Sequence, residues 1–111
     1  MTRPLPFVLA ATDHGPLIVS RLDRHQLANG GIYGVGQQLL DFGSYEAGEI
    51  DFIKNEIELL KKLRGPSLVA VDCGANIGVM TIEIAKALKG LGRVVGIEAQ
   101  EAGHAMRPRF R

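Results

Sequence analysis

An α/β fold is predicted for this chain, and three observations predict it. An apolar run, Val69-Ala70-Val71, ends in Asp72 and breaks into a glycine-punctuated turn, Cys73-Gly74-Ala75-Asn76-Ile77-Gly78. Twenty residues past Gly78 a second apolar run, Val94-Val95-Gly96-Ile97, ends in another acid, Glu98. Between the two lies room for one helix, so the order reads β-α-β and implies a parallel pair with a right-handed crossover. Two buried strands that each deliver a carboxylate at the C-terminal end, beside a Gly-rich loop, suit a nucleoside-bearing ligand.

The elements follow in order. Phe7 to Ala11 and Leu17 to Ser20 are apolar runs separated by the turn cluster Asp13-His14-Gly15-Pro16, which predicts an N-terminal β-hairpin. The opening residues mimic a short signal peptide, but the apolar part is too short and begins with prolines, so it reads as a first strand. His14 and His25 lack the spacing of a metal pair and read as solvated loop histidines. Residues 29–48 are glycine-rich. Within them Gly34-Val35-Gly36 opens like a dinucleotide loop, but it has no third glycine and no buried strand ahead of it, and so reads as a plain loop.

From Glu46 to Arg64 the apolar residues Ile50, Ile53, Ile57, Leu60 and Leu63 fall 3, 4, 3 and 3 apart, which predicts an amphipathic helix. Acids at its start, Lys61, Lys62 and Arg64 at its end, and the stop Gly65-Pro66 agree with the helix dipole and its termination. Glu58 and Lys62 are spaced for an i,i+4 pair. Strand Leu68 to Val71, the motif loop, a helix from about Ile77 to Leu88 and strand Val94 to Ile97 complete the reading.

Bulk properties remove several functions. With 13 basic and 12 acidic residues among 111, the net charge is +1, which provides no field for nucleic acid or an anionic membrane. No apolar run approaches the ~18 residues of a membrane span, and a cytoplasmic location is expected. The single cysteine, Cys73, allows no internal disulfide and no paired metal site, and its small side chain reads as filling the strand end.

In a parallel α/β sheet, ligands sit outside the carboxyl ends of the strands, which directs Asp72 and Glu98 toward one crevice. Gly74 and Gly78 permit close backbone approach, and Asn76 tolerates the left-handed region. A carboxylate at Glu98 can accept from both vicinal hydroxyls of a ribose. The loop reads D-x-G-x-N-x-G rather than G-x-G-x-x-G, and the leading acid is awkward for a diphosphate but suits the ammonium of a methionine moiety.

On these residues, Val71-Asp72-Cys73-Gly74-Ala75-Asn76-Ile77-Gly78 resembles the cofactor loop of the FkbM-type family of class I S-adenosylmethionine-dependent methyltransferases. Gly96-Ile97-Glu98-Ala99 resembles that family's second motif. The resemblance spans roughly Leu68 to Gln100. It implies that Asp72, Gly74, Asn76 and Gly78 form the S-adenosylmethionine loop near the methionine end and that Glu98 holds the ribose. The implied reaction is methyl transfer to a small-molecule acceptor, often a metabolite or saccharide hydroxyl, with no metal. The implied fold is an incomplete Rossmann-like doubly wound methyltransferase sheet, its first βαβ unit preceded by the hairpin and the amphipathic helix.

Three regions are expected: residues 1–45 as an N-terminal hairpin and Gly-rich extension, 46–101 as the start of the methyltransferase domain, and 102–111 as a flexible basic tail. Strands that would flank Leu68–Val71 in such a sheet are missing, as are the segments that would bind the acceptor and supply a base. The chain is therefore expected to be a truncated N-terminal fragment, inactive by itself, with no catalytic residue to name and an exposed strand edge open to self-association. The competing expectation is a non-catalytic α/β nucleotide-binding or partner-binding fragment.

Overall fold

The computed structural model describes residues 5–99. The expected tail at 102–111, the end of the expected domain at 100–101 and the first four residues lie outside them. The chain is a mixed α/β protein, and among the described residues its strands form three two-stranded sheets. It divides into two compact units at Tyr45/Glu46.

In the first unit, β1 (Phe7–Thr12) and β2 (Gly15–Ser20) pair antiparallel around the two-residue turn Asp13-His14, with Thr12 opposite Gly15. The Thr12 hydroxyl donates to the Gly15 carbonyl at 2.6 Å and accepts from the His14 amide at 3.1 Å. A short ladder joins β3 (His25–Gln26) to β4 (Ile32–Tyr33). The predicted plain loop around Gly34 then becomes a helix, α1 (Val35–Phe42). Val35 and Leu39 of α1 are buried, as is Val19 of β2.

The expectation failed because α1 is started from a distance rather than by its own flanking residues. The Asp23 carboxylate accepts from the Gly36 amide at 2.8 Å, and the Asp23 carbonyl accepts from the Gln37 amide at 3.0 Å. These satisfy amides that a helix N-terminus leaves open. Farther along α1, Asp41 receives Gln37 Nε2 at 3.0 Å and the Arg24 guanidinium at 2.8 Å. The Gln37 hydrogen bond, followed by the Arg24 contact, holds the Asp41 carboxyl below its ordinary value.

His14 also departs from expectation. It is buried, and its Nε2 accepts from the Tyr45 amide at 3.1 Å, because the hairpin turn lies against the segment after α1, where Asp13 N–H reaches the Gly43 carbonyl. His25 is exposed, with its Nε2 3.4 Å from Asp23 Oδ1.

The second unit contains α2 (Ala47–Arg64), β5 (Leu68–Cys73), α3 (Val79–Ala87) and β6 (Gly92–Ile97). Strands β5 and β6 are parallel, with Leu68 opposite Gly92 and Cys73 opposite Ile97. Ile57 of α2 packs with Ile84 of α3 and Leu88. Leu68, Ala70 and Val94 bring one sheet face against this cluster. The buried Glu83 carboxylate is paired with Lys54 at 2.6 Å and Lys86 at 2.9 Å, joining α2 to α3.

Two details of α2 differ from prediction. Glu58 pairs with Lys61 at 2.6 Å rather than with Lys62. Leu60 and Leu63 do not join the buried face occupied by Ile50 and Ile57; Leu63 is 72% exposed. Each step of three residues falls about 60° short of a full turn, so the successive steps Ile57, Leu60, Leu63 rotate away from the core.

Candidate functional site

The parallel register determines what the site contains. Asp72 stands opposite Gly96 and Cys73 opposite Ile97, so Asp72 and Glu98 emerge at the same, C-terminal end of the pair. The loop between β5 and α3 folds back onto β6 through main-chain hydrogen bonds. The amides of Gly74 and Ala75 both donate to the Ile97 carbonyl, at 2.8 and 3.0 Å, and Gly78 N–H donates to the Ala75 carbonyl at 2.8 Å. The Asn76 amide donates to Glu98 Oε2 at 2.6 Å. The five residues singled out in the sequence, Asp72, Gly74, Asn76, Gly78 and Glu98, thus lie around one loop at the end of two strands.

Three of them adopt left-handed backbone: Gly74 at φ 84°, Asn76 at 52° and Gly78 at 92°. A Cβ added to Gly74 or Gly78 would meet no atom within 4 Å. The glycines are therefore there for their dihedrals, and the space before the loop is open. Gly78 is also the N-cap of α3 and provides no side-chain cap. Amides at such a helix start favour an anion or a carboxylate-bearing ligand.

Sequence reasoning missed Thr81. Its hydroxyl donates to Asp72 Oδ2 at 2.6 Å, so the first turn of α3 orients the carboxylate that ends β5. The accompanying signal was Gly96, which interrupts an apolar strand. A Cβ there would lie 2.9 Å from Thr81 Oγ1 and 3.3 Å from the Ala75 methyl, so β6 passes directly beneath the loop and the helix start. A carboxylate has about four acceptor positions, more than one hydroxyl takes up, so Asp72 has the chemistry to serve a ligand as well as the loop.

The remaining sequence candidates fall elsewhere. Cys73 does not fill the strand end; it is exposed, because alternation along β5 carries it to the face that the helices leave uncovered. Gly34 and Gly36 are buried. A Cβ on Gly34 would come within 2.1 Å of the Asp23 carbonyl oxygen, and one on Gly36 within 2.4 Å of that of Ser20. Those two glycines serve backbone packing. A groove of about 720 Å³ lined by Leu60, Arg64, Pro66, Ser67, Leu68 and Val69 lies at the opposite, N-terminal end of β5.

Among the described residues, no group of three or more His, Cys, Asp or Glu side chains is placed to hold a metal ion, and no helix is long and apolar enough to cross a membrane. No protein-family model matches this sequence, and neither a curated protein nor a solved structure matches it.

Proposed function

We propose that this chain carries the cofactor-binding part of an S-adenosylmethionine-dependent methyltransferase acting on a hydroxyl of a small metabolite or saccharide. The observation that carries the reading is the pair of acids, Asp72 and Glu98, ending adjacent parallel strands on either side of an open left-handed loop. With it goes a finer fold, the first βαβ unit of a Rossmann-like doubly wound sheet, and a cytoplasmic setting.

In this reading Asp72, oriented by Thr81, faces the ammonium of the methionine moiety. Glu98 accepts from the ribose hydroxyls, and the loop backbone at Gly74, Asn76 and Gly78 approaches the ligand closely. The cofactor supplies an activated methyl on a sulfonium; the chain's residues bind and orient. Orientation and exclusion of water are the main sources of rate in such a displacement. No residue of this chain is assigned as the base.

A second reading, a non-catalytic nucleotide-binding or partner-binding unit, draws support from the closure of both carboxylates onto the loop's own Asn76 amide and Thr81 hydroxyl. Titrating the isotope-labelled chain with S-adenosylhomocysteine and with NAD, followed by amide NMR, separates the readings even when binding is weak. The methyltransferase reading expects S-adenosylhomocysteine, and not NAD, to shift the amide signals of Gly74, Asn76 and Gly78 saturably. Glu98→Gln is expected to weaken the affinity about tenfold, the worth of one hydrogen bond to a charged group. Silence toward S-adenosylhomocysteine, or an equal response to NAD, would sink it.

A further inference from the structure

The β5·β6 sheet is apolar on both faces, and among the described residues α2 and α3 pack against one of them while the side chains of the other are exposed. Val69, Val71, Val95 and Ile97 point away from the helices and are 57%, 57%, 46% and 52% exposed. Parallel sheets are normally buried on both sides by helices, because their strands are apolar throughout. Arg93 stands on this open face beside Val69, its register partner, and makes no ion pair among the described residues. A groove of about 450 Å³ lined by Ser67, Leu68, Val69, Gly92 and Arg93 indents the same end of the sheet.

Helix α2 carries what this face lacks. Away from Ile50 and Ile57, a second stripe runs Glu49, Phe52, Glu56, Leu59, Leu63, at steps of 3, 4, 3 and 4 residues. These steps stay on one helical face. Phe52, Leu59 and Leu63 are 65%, 49% and 72% exposed. Glu49 and Glu56 are exposed and have no ion-pair partner among the described residues. The stripe is an amphipathic helix face with its acids interleaved, and the sheet face is an apolar surface with a lone guanidinium at one end.

We infer that α2 of one copy of this chain docks on the open β5·β6 face of a second copy, with Phe52, Leu59 and Leu63 against Val69, Val71, Val95 and Ile97 and a stripe carboxylate against Arg93. The match between the exposed apolar stripe of α2, with Glu49 and Glu56 interleaved, and the apolar face ending in Arg93 selects a second copy of this chain as the occupant. The contact joins two different surfaces, so it propagates head to tail rather than closing as a two-fold pair. It is independent of cofactor binding.

The test uses two variants of the full chain, Val71→Lys on the sheet face and Leu59→Glu on the stripe, both at exposed positions and each checked for folding by circular dichroism. The wild-type protein is expected to gain mass with concentration in sedimentation equilibrium, with half-association on the order of 100 μM for so small an interface. Each variant alone is expected to stay monomeric. Their equimolar mixture is expected to form a discrete 1:1 dimer, since one intact sheet face meets one intact stripe and neither chain can extend further. Arg93→Glu mixed with Glu56→Arg repeats the test by charge exchange. A wild type that is monomeric at 1 mM overturns the inference, as does a mixture of variants that remains monomeric, the outcome expected of sheet-on-sheet pairing. Wild-type-like association by both single variants overturns it too, and so does a Val71→Lys change that destabilises a monomer, the mark of an intramolecular cover.

Discussion

The chain contains two glycine-rich segments that each lead into a helix, Gly34-Val35-Gly36 before α1 and Gly74 to Gly78 before α3, and they use glycine for opposite reasons. Gly34 and Gly36 are buried where a Cβ would collide with the carbonyls of Asp23 and Ser20. Gly74 and Gly78 have φ values of 84° and 92° and open space where a Cβ would stand. The first segment is closed by its own protein. The second has open space over its glycines, while its Gly74, Asn76 and Gly78 amides are bonded within the loop and to β6 and Glu98. What a methyl group would meet therefore separates a packing glycine from one that could approach a ligand, although the two read alike as letters.

Alanine substitution turns this contrast into measurable differences. Gly34→Ala is expected to have the largest effect, about 3 kcal/mol of lost stability, because backbone rather than a movable side chain occupies the space. Amide hydrogen exchange should show the loss in α1, at Leu39, with α3 retained. A fall below about 1 kcal/mol would mean that the backbone yields and the contrast is overstated.

Gly78→Ala is expected to cost less, about 1–2 kcal/mol, since only the left-handed dihedral is penalised and no atom is displaced. Protection should fall at the start of α3, around Ile82, while α1 stays unchanged. A cost equal to that of Gly34→Ala would erase the distinction between the two segments.

The smallest effect tests the electrostatics behind the closed segment. Asp41 is held below its ordinary carboxyl value by Gln37 and then by Arg24. A depressed folded value means that the contribution is present above the unfolded carboxyl range and is lost as pH falls through the lower, folded value. Asp41→Asn should flatten the acid side of the α1 stability profile and leave the profile above pH ~5 parallel to wild type. The exposed position keeps the effect small. Unchanged acid sensitivity in the variant would place the titrating group elsewhere.

Much of the second unit was legible because its signals are local. An apolar run ending in Asp72, the turn letters Gly74-Ala75-Asn76-Ile77-Gly78 and the acid-to-base gradient along α2 each report a short stretch of chain. The hairpin was legible for the same reason, its turn cluster lying between two apolar runs. Helix α1 was not, because its start is capped by Asp23, far back in the chain, and local glycines argued against it. The burial of His14 was hidden likewise: its partner is the amide of Tyr45. Thr81 reads like any residue of a helix's first turn, and only the through-space contact of its hydroxyl with Asp72 sets it apart.

The order of strands and helices in the second unit, the left-handed-tolerant loop and the acids at the strand ends follow from the letters alone, since dihedral preference and apolar periodicity are properties of neighbouring residues. Through-space contacts alone orient Asp72 by Thr81, close Glu98 on the Asn76 amide, pack Gly34 and Gly36 against backbone, and leave one sheet face and one stripe of α2 exposed among the described residues. Those outcomes depend on which surfaces meet through space, and burial and steric exclusion act there without regard to distance along the chain.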